Sequence, residues 1–151
     1  MGLLIRVGEW LKFRRGYWNH AFVVSDIDEF GMVWIIQATL RGVIRSPLNM
    51  VAPGGVYKTF APPKKCDRSL IVEFAKAQVG MHYGILTILA ISIDILSWQW
   101  VPALRGARKN SWICSAMTEE ALRAGGWIYP YIDIYTVTPE QSYIVHMALA
   151  A

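Results

Sequence analysis

The chain has 151 residues, about the length of one ~100–200-residue domain, and is read as a single domain over 1–151. Apolar residues make up 54% and charged residues 17%, enough burial potential to exclude intrinsic disorder. Fifteen Lys and Arg against eleven Asp and Glu leave a net charge of +4, but the basic residues are scattered (Lys12, Arg14, Arg15; Lys64, Lys65; Arg105, Arg108, Lys109) and no nucleic-acid motif accompanies them, so no nucleic-acid partner is expected.

In chain order, residues 3–16 mix apolar and basic positions without clean periodicity. The longest apolar run before Arg6 is Leu3-Leu-Ile5, short of the ~7–15-residue apolar run of a secretory signal, so the cytoplasm is the default expectation. Trp18 to Ser25 and Met32 to Thr39 are rich in aromatic and β-branched residues and predict two strands, joined by Asp26–Gly31 as a hairpin. With Asp26 closing the turn against Gly31, Val24 falls opposite Val33, Phe22 opposite Ile35 and His20 opposite Gln37. Two polar side chains then meet at the end of an apolar face.

Arg41 to Arg45 predicts a further short strand, Pro47 and Pro53-Gly-Gly55 break the chain, and Val56 to Phe60 predicts another strand. Asp67 is placed as the N-cap of a helix carrying Leu70, Ile71, Phe74, Ala75 and Ala77, with Gly80 at its C′ position. An apolar helix is expected from about Gly84 to Trp98. Its uninterrupted apolar core is only Ile85 to Ile93, and Asp94, Gln99 and Pro102 count against a span, so the segment reads as a buried helix or one lying on a lipid-like surface. A basic loop, 105–110, follows. Cys114 to Ala124 predicts a helix ended by Gly125-Gly126, and Trp127 to Val137 a strand in which Pro130 marks an edge or a break. Thr138-Pro-Glu-Gln141 is a capping-box start for a last helix.

The chemistry-bearing feature is Cys114, alone at a helix start and followed by the small residues Ser115 and Ala116. Unpaired N–H groups and the dipole of a first helical turn favour a thiolate, and small neighbours let a carbonyl approach. A nucleophilic cysteine needs a base, and His20 is the best placed. The alternative is that Cys114 is a small buried hydrophobe and His20 a structural histidine. His82 and His146 read as structural and Cys66 as an incidental loop cysteine. Neither cysteine belongs to a CxxC pair or a spaced Cys/His array, and the chain lacks a phosphate loop, a nucleophile-elbow serine and an HExxH motif, so no metal and no cofactor are expected.

Five segments together resemble the circularly permuted branch of the NlpC-type papain-like cysteine hydrolases, in which the histidine precedes the cysteine. Trp18-Asn-His-Ala-Phe-Val-Val24 resembles the family's histidine strand. Trp34-Ile-Ile-Gln-Ala38, with Arg41-Gly-Val43 and Ser46-Pro-Leu48 after it, resembles the next strand and connection. Val79-Gly-Met-His-Tyr-Gly84, Trp112-Ile-Cys-Ser-Ala116 and Val137-Thr-Pro-Glu140 resemble its glycine-x-x-tyrosine, nucleophile and closing-turn segments. The likeness covers about residues 16 to 145.

The resemblance implies an α+β permuted papain-like fold, with an antiparallel sheet packed against the nucleophile-bearing helix. It also implies Cys114 as nucleophile, His20 as general base and Gln37 as the residue orienting the imidazole, with Tyr83 and Ser115 near the oxyanion or substrate site. Two positions depart from the family pattern. Many members carry His, Glu or Asp where Gln37 stands, and a neutral amide stabilises an imidazolium less than a carboxylate does. Ala116 stands where a carboxylate is frequent. The expected function is therefore a thiol hydrolase acting through an acyl-enzyme on a peptide or isopeptide amide such as that of peptidoglycan. A lipid acyl substrate is the alternative, since the superfamily includes relatives of lecithin:retinol acyltransferase and residues 85–100 leave a peripheral membrane contact open. A non-catalytic binding or structural module on the same fold is the rival from another class.

Overall fold

The computed structural model describes residues 17–83, 111–128 and 137–150, and its first sheet is organised by one aspartate. Asp28 Oδ1 accepts from the backbone N–H groups of Phe30 (3.0 Å) and Met32 (2.9 Å), and Gly31 closes the turn with a φ of 77°. This turn joins β1 (Val23–Ile27) to β2 (Val33–Thr39), which pairs in turn with β3 (Gly42–Pro47) in an antiparallel sheet of order β1–β2–β3.

The turn is thus built on Asp28 and not on Asp26. Asp26 remains in β1, where Arg45 of β3 reaches it at 2.5 Å while stacking over the Trp34 ring at 4.0 Å. The expected pairs of Val24 with Val33 and Phe22 with Ile35 are replaced by Val24 with Ile35 and Val23 with Ile36, and a bulge at Ser25 separates these from Ile27 with Val33. His20 does not lie opposite Gln37 in a strand; it precedes β1, in the irregular run 17–22.

β2 is buried on both faces through Ile35, Ile36, Gln37 and Ala38, so it is the centre of the sheet in packing as well as in order. β3 starts and ends later than its predicted range and runs into a single helical turn, α1 (Leu48–Val51). Val56–Phe60 is not a strand. The Gly55 N–H bonds to Ala52 O and the Tyr57 N–H to Gly55 O, so this stretch bonds locally and leaves Val56 and Tyr57 exposed.

Asp67 caps α2 (Arg68–Ala77), accepting from the Ser69 N–H at 2.9 Å and the Leu70 N–H at 3.4 Å. Gly80, at φ 93°, sits one position later than expected, two residues past the Gln78 cap, and there its N–H bonds to Val43 O. The chain beyond it runs along β3, and β4 (His82–Tyr83) pairs in parallel with β5 (Ser111–Trp112), a pairing not foreseen from the sequence. α3 (Cys114–Ala124) ends at Gly125-Gly126, and α4 (Pro139–Ala150) opens with the reciprocal box in which the Thr138 N–H donates to Gln141 Oε1 and the Gln141 N–H to Thr138 Oγ1.

The core joins Val23, Ile36, Ala38 and Val43 of the sheet to Ile71 and Ala75 of α2 and to Cys114, Met117, Ala121 and Leu122 of α3. Removing a side chain such as Ile36 or Met117 from water contributes about 1.5–3 kcal/mol each, which holds the first turn of α3 against β2. The class is α+β, with an antiparallel sheet packed on the helix that begins at Cys114. The apolar segment from Gly84 to Trp98, the basic loop 105–110 and residues 129–136 lie outside the described residues; Trp127 and Ile128 are not in a strand. Among the described residues no helix is long and apolar enough to cross a membrane.

Candidate active site

Three elements meet at the imidazole of His20. The arm that carries it is fastened to the start of α4: Glu140 Oε2 accepts from the N–H groups of Tyr17 and Trp18, each at 3.0 Å, and the Trp18 ring packs on Tyr143 at 5.1 Å. β2 supplies Gln37, only 4% exposed, whose Oε1 lies 2.7 Å from His20 Nε2. β3 supplies Ser46, whose hydroxyl accepts from Gln37 Nε2 at 2.8 Å. With its amide nitrogen engaged by Ser46, Gln37 turns its carbonyl to the imidazole. Nε2 then carries the proton, and Nδ1 is left for the third element, the thiol of Cys114.

Cys114 is the first residue of α3, and Ile113 at the N-cap offers no side-chain acceptor, so no cap competes for the N–H groups of this turn. Burial, the largest influence, pushes the thiol pKa up, but the hydrogen bond and charge of His20 outweigh it, helped by the N–H groups of Ala21 and Ser115, and the net displacement is below the ordinary value. For His20 burial again acts first and lowers the pKa, yet Cys114 and then Gln37 outweigh it, and the imidazole lies above its ordinary value. Both displacements favour a thiolate beside an imidazolium, the charge state of an activated cysteine. Cys114 is also 2% exposed, so the sulfur lies beneath the surface.

Of the five predicted site residues, Cys114, His20 and Gln37 are brought together. Ser115 touches the sulfur through its backbone N–H, while its hydroxyl, also buried, donates to Val137 O at 2.6 Å and anchors the helix. The Tyr83 side chain lies outside the described residues; its backbone is in β4. Ser46 and the Ala21 N–H were not singled out from sequence. Ser46 falls one residue beyond the predicted end of β3, and a backbone donor has no sequence signal.

A second polar cluster lies on the other side of α3. Glu119 is fully buried, accepts from the Ser142 hydroxyl, and has His146 Nε2 at 3.4 Å; its Oε2 has no partner among the described residues. His146 also stacks on Phe60 at 5.7 Å. Cys66, read from the sequence as an incidental loop cysteine, is buried in the core. A cavity of about 310 Å³ lies between β1, α2, α3 and α4 under the segment Lys58–Pro62. Its walls include His20, Ala21, Ser142 and His146 but not Cys114.

Comparison with protein-family models, curated proteins and solved structures finds no match to this chain.

Proposed function

We propose that this chain is a thiol acyl hydrolase on a permuted papain-like fold, cleaving an amide of the peptide or isopeptide type, peptidoglycan included. One observation carries the reading: the imidazole of His20 bonds to Gln37 at 2.7 Å on one side and to Cys114 on the other. His20 Nδ1 takes the thiol proton and the sulfur attacks the carbonyl carbon. The backbone N–H of Cys114, at the helix start, stabilises the tetrahedral oxyanion. The imidazolium then protonates the leaving nitrogen, the C–N bond breaks and a thioester remains. Water, deprotonated by His20, resolves the thioester to a carboxylate and returns the thiol.

The apolar cavity against His20 favours a lipid ester or amide as a second substrate class. The 2% exposure of Cys114 favours the non-catalytic module. Intact-mass analysis after incubation with an activated amide and with an activated ester tests all three. An acyl adduct on Cys114 that disappears in His20→Ala supports the hydrolase, and the better donor names the bond class. No adduct from either donor leaves the module.

A further inference from the structure

The cavity beside His20 has a chemistry of its own. Its volume of about 310 Å³ stands at the lower end of the ~300–1,000 Å³ typical of small-molecule sites. Its walls are mainly apolar, formed by Phe22, Val24, Phe60, Ile71, Leu122 and Tyr143 among others. Besides His20, which is engaged with Cys114, its charged side chains are Lys58 and Arg68, both basic, and no Asp or Glu is among its described lining residues.

Lys58 and Arg68 are both exposed. Among the described residues no carboxylate pairs with either. The Lys58 ammonium lies 5.8 Å from the Phe60 ring centre. Arg68 opens α2, and a cation in the first turn of a helix opposes the macrodipole, so its own helix gains nothing from it. Three of the cavity's other polar side chains are engaged within the protein, Thr118 by donating to Cys114 O. Ser142 donates to Glu119, and His146 Nε2 faces the same carboxylate oxygen. The remaining complement is an apolar chain inside and a negative charge at Lys58 and Arg68.

We propose that this cavity binds a free medium-chain carboxylate, its hydrocarbon tail among the apolar walls and its carboxylate on Lys58 and Arg68. Because the site shares His20 with the Cys114 pair, its occupant lies beside the candidate base. The inference does not depend on acyl transfer by Cys114, since binding needs no reaction.

The test is isothermal titration calorimetry on the full chain and on its Cys114→Ala variant with octanoate, against butanoate, octan-1-ol and octylamine. Octanoate is expected to bind both proteins, at least about tenfold more tightly than any of the other three. Lys58→Ala/Arg68→Ala should bring octanoate down to the level of octan-1-ol. Val72→Trp, which fills the cavity from α2 and leaves both cations in place, should abolish binding. No binding of octanoate, equal binding of the alcohol or amine, or octanoate binding that survives Val72→Trp would overturn the proposal. Octanoate binding to a chain whose Cys114 takes no acyl adduct would sustain it while removing the hydrolase reading.

Discussion

Removing the His20 imidazole should return Cys114 to ordinary or worse thiol chemistry. In His20→Ala burial still pushes the thiol pKa up, and only the Ala21 and Ser115 N–H groups remain to oppose it. A thiol at the ordinary value of 9.0 is about 1% thiolate at pH 7, two units below, since each unit is a tenfold change. The loss of alkylation rate at pH 7 therefore reaches about a hundredfold for a thiol at that value and more where burial carries it higher, and at least about tenfold is expected. The sign follows from both groups. Cys114, with a lowered pKa, keeps its thiolate as pH falls below 9.0 and loses it only through the lowered value. His20, raised above 6.5, keeps its proton until pH rises through the raised value, so the ion pair occupies the window between them. The assay is iodoacetamide labelling from about pH 5 to about pH 10, read peptide by peptide by mass spectrometry. Cys66, also buried, reports any general opening of the fold. The same pH profile for Cys114 in the native chain and in His20→Ala would refute the pairing.

Gln37→Leu leaves His20 Nε2 and the Ser46 hydroxyl without their buried partner, and urea unfolding should show a loss of about 1–3 kcal/mol. Ser46→Ala releases the Gln37 amide to rotate, so Cys114 alkylation at neutral pH should fall while Ser46→Thr retains it; unchanged labelling in Ser46→Ala would show that Gln37 needs no such support. At Gly42 a Cβ would stand 2.6 Å from Met81 O on a backbone with φ 106°, so Gly42→Ala should cost about 1–3 kcal/mol by thermal unfolding.

Caps were the most legible features because they are chemistry confined to three or four residues. Asp67 and the Thr138–Gln141 box sit where their spacing places them. The hairpin register was not legible, because Asp26 and Asp28 are equally good turn residues. The choice is made by partners far from the turn's own pattern: the Trp34 indole donates to Asp28 Oδ2 at 2.9 Å, and Arg45 draws Asp26 into the sheet. Val56–Phe60 has strand-like residues but pairs with none of the described strands, and β-propensity without a partner builds nothing. The association of His20 with Gln37 was foreseen, though through side chains at the mouth of β1 and not through strand pairing. The offset comes from the turn on Asp28, and the bulge at Ser25, which takes back one residue of it, has no local signature. Glu119 was missed because a charged residue in a helix ordinarily faces water, whereas here Ser142 and His146 meet it indoors.

His20, Gln37 and Ser46 are linked across separations of 17 and 9 residues, whereas Cys114 belongs to a helix made much later. On a ribosome His20, Gln37 and Ser46 are made before the sulfur, whereas Glu140 and Tyr143, which fasten the arm carrying the base, come after it. Until α3 docks, Cys114 is an ordinary thiol, mostly protonated at neutral pH and correspondingly slow to oxidise to a sulfenic acid or to form a stray disulfide. Docking lowers its pKa and buries it in the same event, so the nascent chain never displays its most oxidisable sulfur.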